Sequence, residues 1–287
     1  MPETAPDGAE YPRARAGLPK HWAAGDGVLT FFNILFQAAA RGGHSRTVEA
    51  LLDVGADSSA ELLATAEAGH LDVLIQLLKA GVDTEHTEGT RGRTALIKAA
   101  EKGHPEILRL LLRAGADCEH QDKLGRTALM EASMEGHQLC VQELLAGGAN
   151  TDVTNSLNGR TALAEAAMLG NVSTVMELVG AGAVVDLEDQ DGRCPLGLAS
   201  GQGHGQLVRE LLIAGAEVDH RDTMSQRTAL MEAAMEGHED VVKELLRCGA
   251  KTALVDAHGQ TAQYFASDGG YSHILALLQS ADPSPKD

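Results

Sequence analysis

Aromatic residues are scarce in this chain: one Trp, three Tyr and four Phe make up 3% of its 287 residues. A core of stacked rings is thereby excluded. With 44% hydrophobic residues, the buried material has to be Ala, Leu and Val. Basic charge is also short, 23 Lys and Arg against 41 Asp and Glu, for a net charge of −18. Duplex nucleic-acid binders draw their affinity mainly from neutralising phosphates, so this balance speaks against such a role. It speaks equally against docking on an anionic membrane surface. Long apolar runs are missing. The longest, Val28 to Phe36, contains Thr30 and Asn33 and falls well short of the roughly 20 residues of a membrane-spanning helix.

Cysteine is sparse. Cys118, Cys140, Cys194 and Cys248 form no C-x-x-C pair and are too few for a disulfide-stapled scaffold. The first 24 residues hold Glu3, Asp7 and Glu10 among Pro2, Pro6, Pro12 and Pro19. A secretory signal needs a basic start and an apolar stretch, and a transit peptide avoids acids. These features predict a reduced, soluble intracellular protein of the cytoplasm, the nucleus or both. Phosphate-loop, nucleophile-elbow and H-E-x-x-H signatures are absent. The stretch Leu187 to Leu198 has Leu at both ends, where a calcium loop requires carboxylates. The histidines recur with a long period and do not gather as zinc ligands do. The sequence therefore predicts no enzyme, no metal and no cofactor.

What is present is a period. Thr-Ala-Leu or a near copy begins at Thr94, Thr127, Thr161, Cys194, Thr228 and Thr261, in steps of 33, 34, 33, 34 and 33 residues. Nine residues after each start stands a Gly, usually followed by His: Gly103-His104, Gly136-His137, Gly170-Asn171, Gly203-His204, Gly237-His238 and Gly270-Tyr271. Gly43-His44 and Gly69-His70 extend the pattern backwards, their spacing of 26 residues implying a shortened first connection. Eight units run from about Ile34 to Leu278. Within each, Thr is an N-cap and the Gly of Gly-His ends the first helix in the left-handed conformation. Pro105 suits the first position of a second helix. Ile107, Leu108, Leu111 and Leu112 give that helix a buried stripe at helical spacing. A polar hairpin such as Gln121 to Gly125 leads on. One unit cannot bury both its faces, so stability comes from stacking.

Gly-x-Thr-Ala-Leu, Ala-Ala, Gly-His, Leu-Leu and Gly-Ala-Asp in that order, over about 245 residues, resemble the ankyrin repeat. The copies Thr127 to Ala132 and Thr228 to Ala233 are similar to units of large multi-ankyrin proteins that also carry a KH domain, although no KH-type Gly-x-x-Gly module is evident outside the repeats. The resemblance implies an all-α solenoid of about eight helix-turn-helix units joined by β-hairpin-like loops, with a concave face that recognises other proteins. There are departures from the family pattern. Pro follows the capping position only at Cys194-Pro195. The His after Leu is replaced by Ile97, Met130, Ala164, Gly197, Met231 and Tyr264. The hairpin Asn is replaced by Glu85, Glu119, Asp152, Asp186 and Asp219, which puts the usual hydrogen bonds between repeats in question.

The expected layout is a disordered segment over 1–27, the repeat domain over 28–280 and a disordered tail over 281–287, with Val28, Leu29, Phe31 and Phe32 helping to cap the first unit. The unit from Cys194 lacks a capping Thr and carries Gly197, Gly201, Gly203 and Gly205. It is expected to open first.

Two sets of residues are candidates for recognition. Arg93, Arg126, Arg160, Arg193 and Arg227 share the slot before the cap. They form either a basic stripe for an acidic partner segment or ion pairs with the hairpin acids Glu85, Glu119, Asp152, Asp186 and Asp219. Glu131 with Met134, Glu165 with Met168, and Glu232 with Met235 sit four and seven residues after the cap, on one helix face. They are expected either to point into the groove or, for the methionines, to pack between helices. Arg126 to His137 and Arg227 to His238 match at eleven of twelve positions: a recent duplication, or two docking points about 30 Å apart. The predicted function is a monomeric, non-catalytic scaffold, adaptor or inhibitor, whose protein partners carry basic or polar segments. The alternative is a regulatory or targeting subunit of an enzyme whose catalytic chain is separate.

Overall fold

The computed structural model describes residues 26–52, 58–87 and 89–281. Sixteen α-helices form eight consecutive pairs among these residues. Strands are absent from the described residues, which hold isolated bridge positions alone: Arg93, and Arg221 paired antiparallel with Thr228. The chain divides into two compact bodies, residues 1–118 and 119–287.

The first body contains α1 (Asp26–Arg41), α2 (Ser45–Leu52), α3 (Ser59–Ala68), α4 (Leu71–Lys79), α5 (Ala95–Lys102) and α6 (Pro105–Arg113). Helices α1, α3 and α5 pack in one layer and α2, α4 and α6 in another. Most of the expected disordered segment and tail lies outside the described residues, as do the side chains of Val28, Leu29, Phe31 and Phe32. Asp26 and Gly27 already belong to α1, and Ala281 is the last residue of α16.

The second body holds α7 (Ala128–Met134), α8 (Gln138–Ala146), α9 (Ala162–Leu169), α10 (Val172–Gly180), α11 (Pro195–Gly201), α12 (Gly205–Ile213), α13 (Ala229–Glu236), α14 (Glu239–Arg247), α15 (Ala262–Asp268) and α16 (Ser272–Ala281). The odd-numbered helices again pack on one another, and the even-numbered ones likewise. The core between the layers is aliphatic. Leu129, Leu144, Leu163, Leu178, Leu196, Leu211, Leu230 and Leu245 are all essentially fully buried. Burying one such side chain is worth about 2 kcal/mol, and each is enclosed partly by the neighbouring repeat.

The local signals act as read. The hydroxyls of Thr127, Thr161, Thr228 and Thr261 accept from the amides of Met130, Ala164, Met231 and Tyr264 at 3.2–3.3 Å. Cys194 makes no such bond. The Gly-His turn also joins repeats. The His204 ring packs against Gly170, and its Nε2–H donates to the Met168 carbonyl at 3.1 Å. His238 repeats this on Gly203 and the Gly201 carbonyl, also at 3.1 Å. Asn171 takes the same place through two bonds from Nδ2, to the carbonyls of Ser133 (2.9 Å) and Met134 (2.8 Å).

The acids that replace the family Asn keep the repeats tied together. The carboxylates of Glu119, Asp152, Asp186 and Asp219 accept the backbone amides of Asn150 (2.8 Å), Val184 (3.0 Å), Glu217 (3.1 Å) and Lys251 (2.9 Å), each in the following repeat. In the first body Glu85 does the same for Asp117 at 3.0 Å. A carboxylate oxygen accepts an amide proton as well as an Asn carbonyl does, so the substitution leaves this bond intact.

Candidate functional site

In the second body each loop is closed as a narrow hairpin by an amide bonding across its base: Asp122 to Arg126 (2.9 Å), Asn155 to Arg160, Asp189 to Arg193 and Asp222 to Arg227 (3.0 Å each). Adjacent loop tips are bonded together. Ser156, Gln190, Thr223 and Ala257 donate to the carbonyls of Leu124, Asn158, Asp191 and Ser225 at 2.9–3.1 Å. The first residue of each loop turns its side chain inward. Asp189 Oδ1 accepts the amides of Asp191 and Arg193 at 3.0 Å, and Asp122 and Asp256 make the same pair of bonds in their own loops. At Asp222, burial pushes the carboxyl up, but bonds from the Ser225 amide and hydroxyl and from the Arg227 amide hold it below its ordinary value.

These inward acids meet the arginine column. Arg160 is nearly buried, with Nε 3.1 Å from Asp189 Oδ2 of the next loop and Nη1 3.8 Å from Glu165 of its own helix. Nη1 also lies 2.7 Å from Met168 Sδ. Arg126 reaches Glu131 at 3.3 Å, and Arg227 reaches Glu232 at 3.6 Å and Asp256 at 3.9 Å. In the first body Arg93 is buried against Glu101 at 2.7 Å. Arg126, Arg160, Arg193 and Arg227 form ion pairs, while the hairpin acids named from the sequence are engaged by backbone amides. At Arg126, Arg160 and Arg227 the guanidinium leaves the loop toward the helix layer, and the partners are glutamates on the first helices and inward loop aspartates.

The two candidate sets are therefore one constellation. Glu131 and Glu165 are buried, 3% and 2% exposed, which corrects the expectation that they point into a groove. Arg126 holds the first; Arg160 and the Asn155 amide, 3.1 Å away, hold the second. Glu232 remains partly open, and Met134, Met168 and Met235 are half-buried at the rim. Burial pushes the Glu232 carboxyl above its ordinary value; Arg227 pulls it back, while Asp222 and Glu236 add to the rise.

The ladder is interrupted at α11. Leu198 stands where α7, α9 and α13 carry Glu, and Gly201 where those three carry Met. Arg193 turns outward, 2.6 Å from Asp191 and 3.3 Å from Asp189, and its side chain is 39% exposed. Its buried Nε has no hydrogen-bond partner. A cleft of about 360 Å³ opens beside α11, lined by Arg193, Gly197, Leu198, Gly201, Arg227 and Glu232 among others. Along the chain these glycines mark only a weak point, and the inward acids belong to neither candidate set. Asp122, Asn155, Asp189, Asp222 and Asp256 recur in steps of 33, 34, 33 and 34 residues, the same beat as the arginines, and that shared period was the available signal.

Stacked helix pairs whose loops and first helices are fixed by repeating polar bonds define a repeat protein with a pre-formed lateral face. The chain belongs to the ankyrin-repeat family: the family model for ankyrin repeats (three copies) matches residues 61–155, 129–222 and 198–287. It is similar to the crystal structure of the human ASB11 ankyrin repeat domain, with 27% identity, 78% of this chain and 99% of that chain covered, and a TM-score of 0.71. No curated protein matches it. The fold is thus an all-α ankyrin solenoid, and ankyrin repeats are in general protein–protein interaction modules. No helix among the described residues is long and apolar enough to cross a membrane.

Proposed function

We propose that this chain is a non-catalytic intracellular scaffold, adaptor or inhibitor that binds a partner protein along the first-helix face of residues 119–287. The observation that carries this reading is the fixed ladder of Arg126, Arg160 and Arg227 on their glutamates. It orders the loops and helix starts before any partner arrives, so little conformational entropy is lost by this side on docking. Over that rigid layer stand Met134, Met168 and Met235, whose flexible thioethers adapt to a partner surface, together with the accessible Glu232, Arg193 and Arg227. Buried Glu131, Glu165 and Arg160 support this face from behind, and Arg93 with Glu101 repeats the arrangement within the first body. The net charge of −18 selects partners with basic or polar segments, and the protein acts as a monomer in the cytoplasm or nucleus.

The test is the double variant Met134→Ala, Met235→Ala. Both side chains are half-buried at the rim, so unfolding should stay cooperative while capture of a partner from extract falls severalfold. Retention at the level of the unaltered chain would refute the assignment of this face.

A further inference from the structure

Two glycines on α11 have no structural need to be glycine. Neither adopts a positive φ. A Cβ on Gly197 would meet nothing within 4 Å, and one on Gly201 would meet only Glu232, at 3.8 Å. Glycine weakens a helix, and here no close backbone approach compensates for it. A locally unfavourable choice without a structural return points to function. The return is space: the Met that α7, α9 and α13 carry at this position is missing at Gly201, and the cleft lies there.

The charge around that space is uneven. Asp222, Glu232 and Glu236 line it against Arg193 and Arg227. Arg193 is already taken by Asp189 and Asp191. Arg227 serves both Glu232 and Asp256, at 3.6 and 3.9 Å, and the buried Asp256 Oδ2 receives no hydrogen bond. Glu236 is exposed at the edge. The opening therefore has a carboxylate excess beside an apolar floor of Gly197, Leu198 and Gly201.

Resting on the binding face assigned above, we propose that this cleft is the anchor pocket for one basic side chain of the partner, an arginine. Its aliphatic stem lies over Gly197, Leu198 and Gly201, as long cationic side chains cover apolar surface. Its guanidinium meets the carboxylates of Glu232 and Glu236, where two parallel N–H···O bonds set direction as well as strength.

The test needs no knowledge of the partner. The full chain, labelled with nitrogen-15, is titrated with N-acetyl-arginine methylamide while the Gly197 and Gly201 amides are followed by NMR. Saturable shifts confined to these amides and their neighbours are expected. The citrulline analogue, equal in length but uncharged, should bind roughly tenfold more weakly, the worth of a charge-assisted bond. Gly201→Met fills the space with the residue of α7, α9 and α13; it should keep or raise the melting temperature and abolish the shifts. Glu232→Gln should weaken them. The proposal is overturned if the Gly201→Met chain still binds the arginine compound, or if N-acetyl-glutamate methylamide binds in preference, which would make Arg193 the recognising group. It is also overturned if Gly201→Met loses the arginine compound yet captures partner undiminished. In that case the Met134, Met235 variant decides separately whether the wider face binds anything.

Discussion

Arg160 and Asp189, 29 residues apart in the chain, form a buried ion pair between one repeat and the loop of the next, Nε to Oδ2 at 3.1 Å. Asp189 is doubly occupied, since its other oxygen accepts the amides of Asp191 and Arg193 that shape its loop. Removing one partner of a buried pair strands the other charge, which costs about 3 kcal/mol or more. Arg160→Ala should therefore lower stability by about 3 kcal/mol in urea unfolding. Arg193 pairs at the surface with a 39% exposed side chain, and Arg193→Ala should cost under about 1 kcal/mol. Equal losses from the two would mean that burial does not rank these pairs.

Two nearby glycines should respond with opposite sign. Gly192 has φ +76°, and an added Cβ would lie 2.4 Å from both the amide nitrogen and the hydroxyl of Thr223. Gly192→Ala must strain the left-handed backbone and push apart the Thr223–Asp191 bond between loops, together about 2–3 kcal/mol. Gly197 is helical with open space above it. Gly197→Ala should stabilise by about 0.5–1 kcal/mol. Thermal melts of the two variants would check both signs.

The repeat from Cys194 is the expected point of first opening, and its thiol reports on that. Burial pushes the Cys194 thiol up to about 11, so at pH 8 only about one part in a thousand is thiolate, the reactive form. Cys248 is exposed and Cys140 buried. Iodoacetamide at pH 8 should therefore modify Cys248 quickly and Cys194 only through local opening, ahead of Cys140. Amide exchange should be faster over residues 197–205 than over 127–136. The raised thiol value also has a stability sign. Its contribution is intact below the unfolded-chain value near 9 and is lost as pH rises through the folded value. Labelling of Cys194 as slow as that of Cys140 would place the weak point elsewhere.

Much of the architecture was legible because it rests on local chemistry repeated many times. Thr161 caps a helix wherever its hydroxyl can reach the third amide on, and Gly170 takes a left-handed turn at low cost, so period and residue type suffice. The site was less legible. The position of Glu165 on its helix could be counted, but its burial depends on Arg160 and Asn155, which approach from a loop. The pairing of Arg160 with Asp189 crosses a repeat boundary, and periodicity alone could not choose between Asp186 and Asp189 three residues away.

By itself the sequence determined the repeat length, the helix pairs, the caps and the aliphatic core, since each follows from interactions within a few residues or from hydrophobic spacing. Only the tertiary structure decided which acids face inward. A charged side chain is buried or solvated according to what stacks above it, and that neighbour lies some 30 residues away (29 for Arg160 and Asp189). The same holds for the cleft at α11. Two glycines are a weakness when read along the chain and an opening when read across it, because an absent side chain becomes a cavity only where its neighbours fail to fill it.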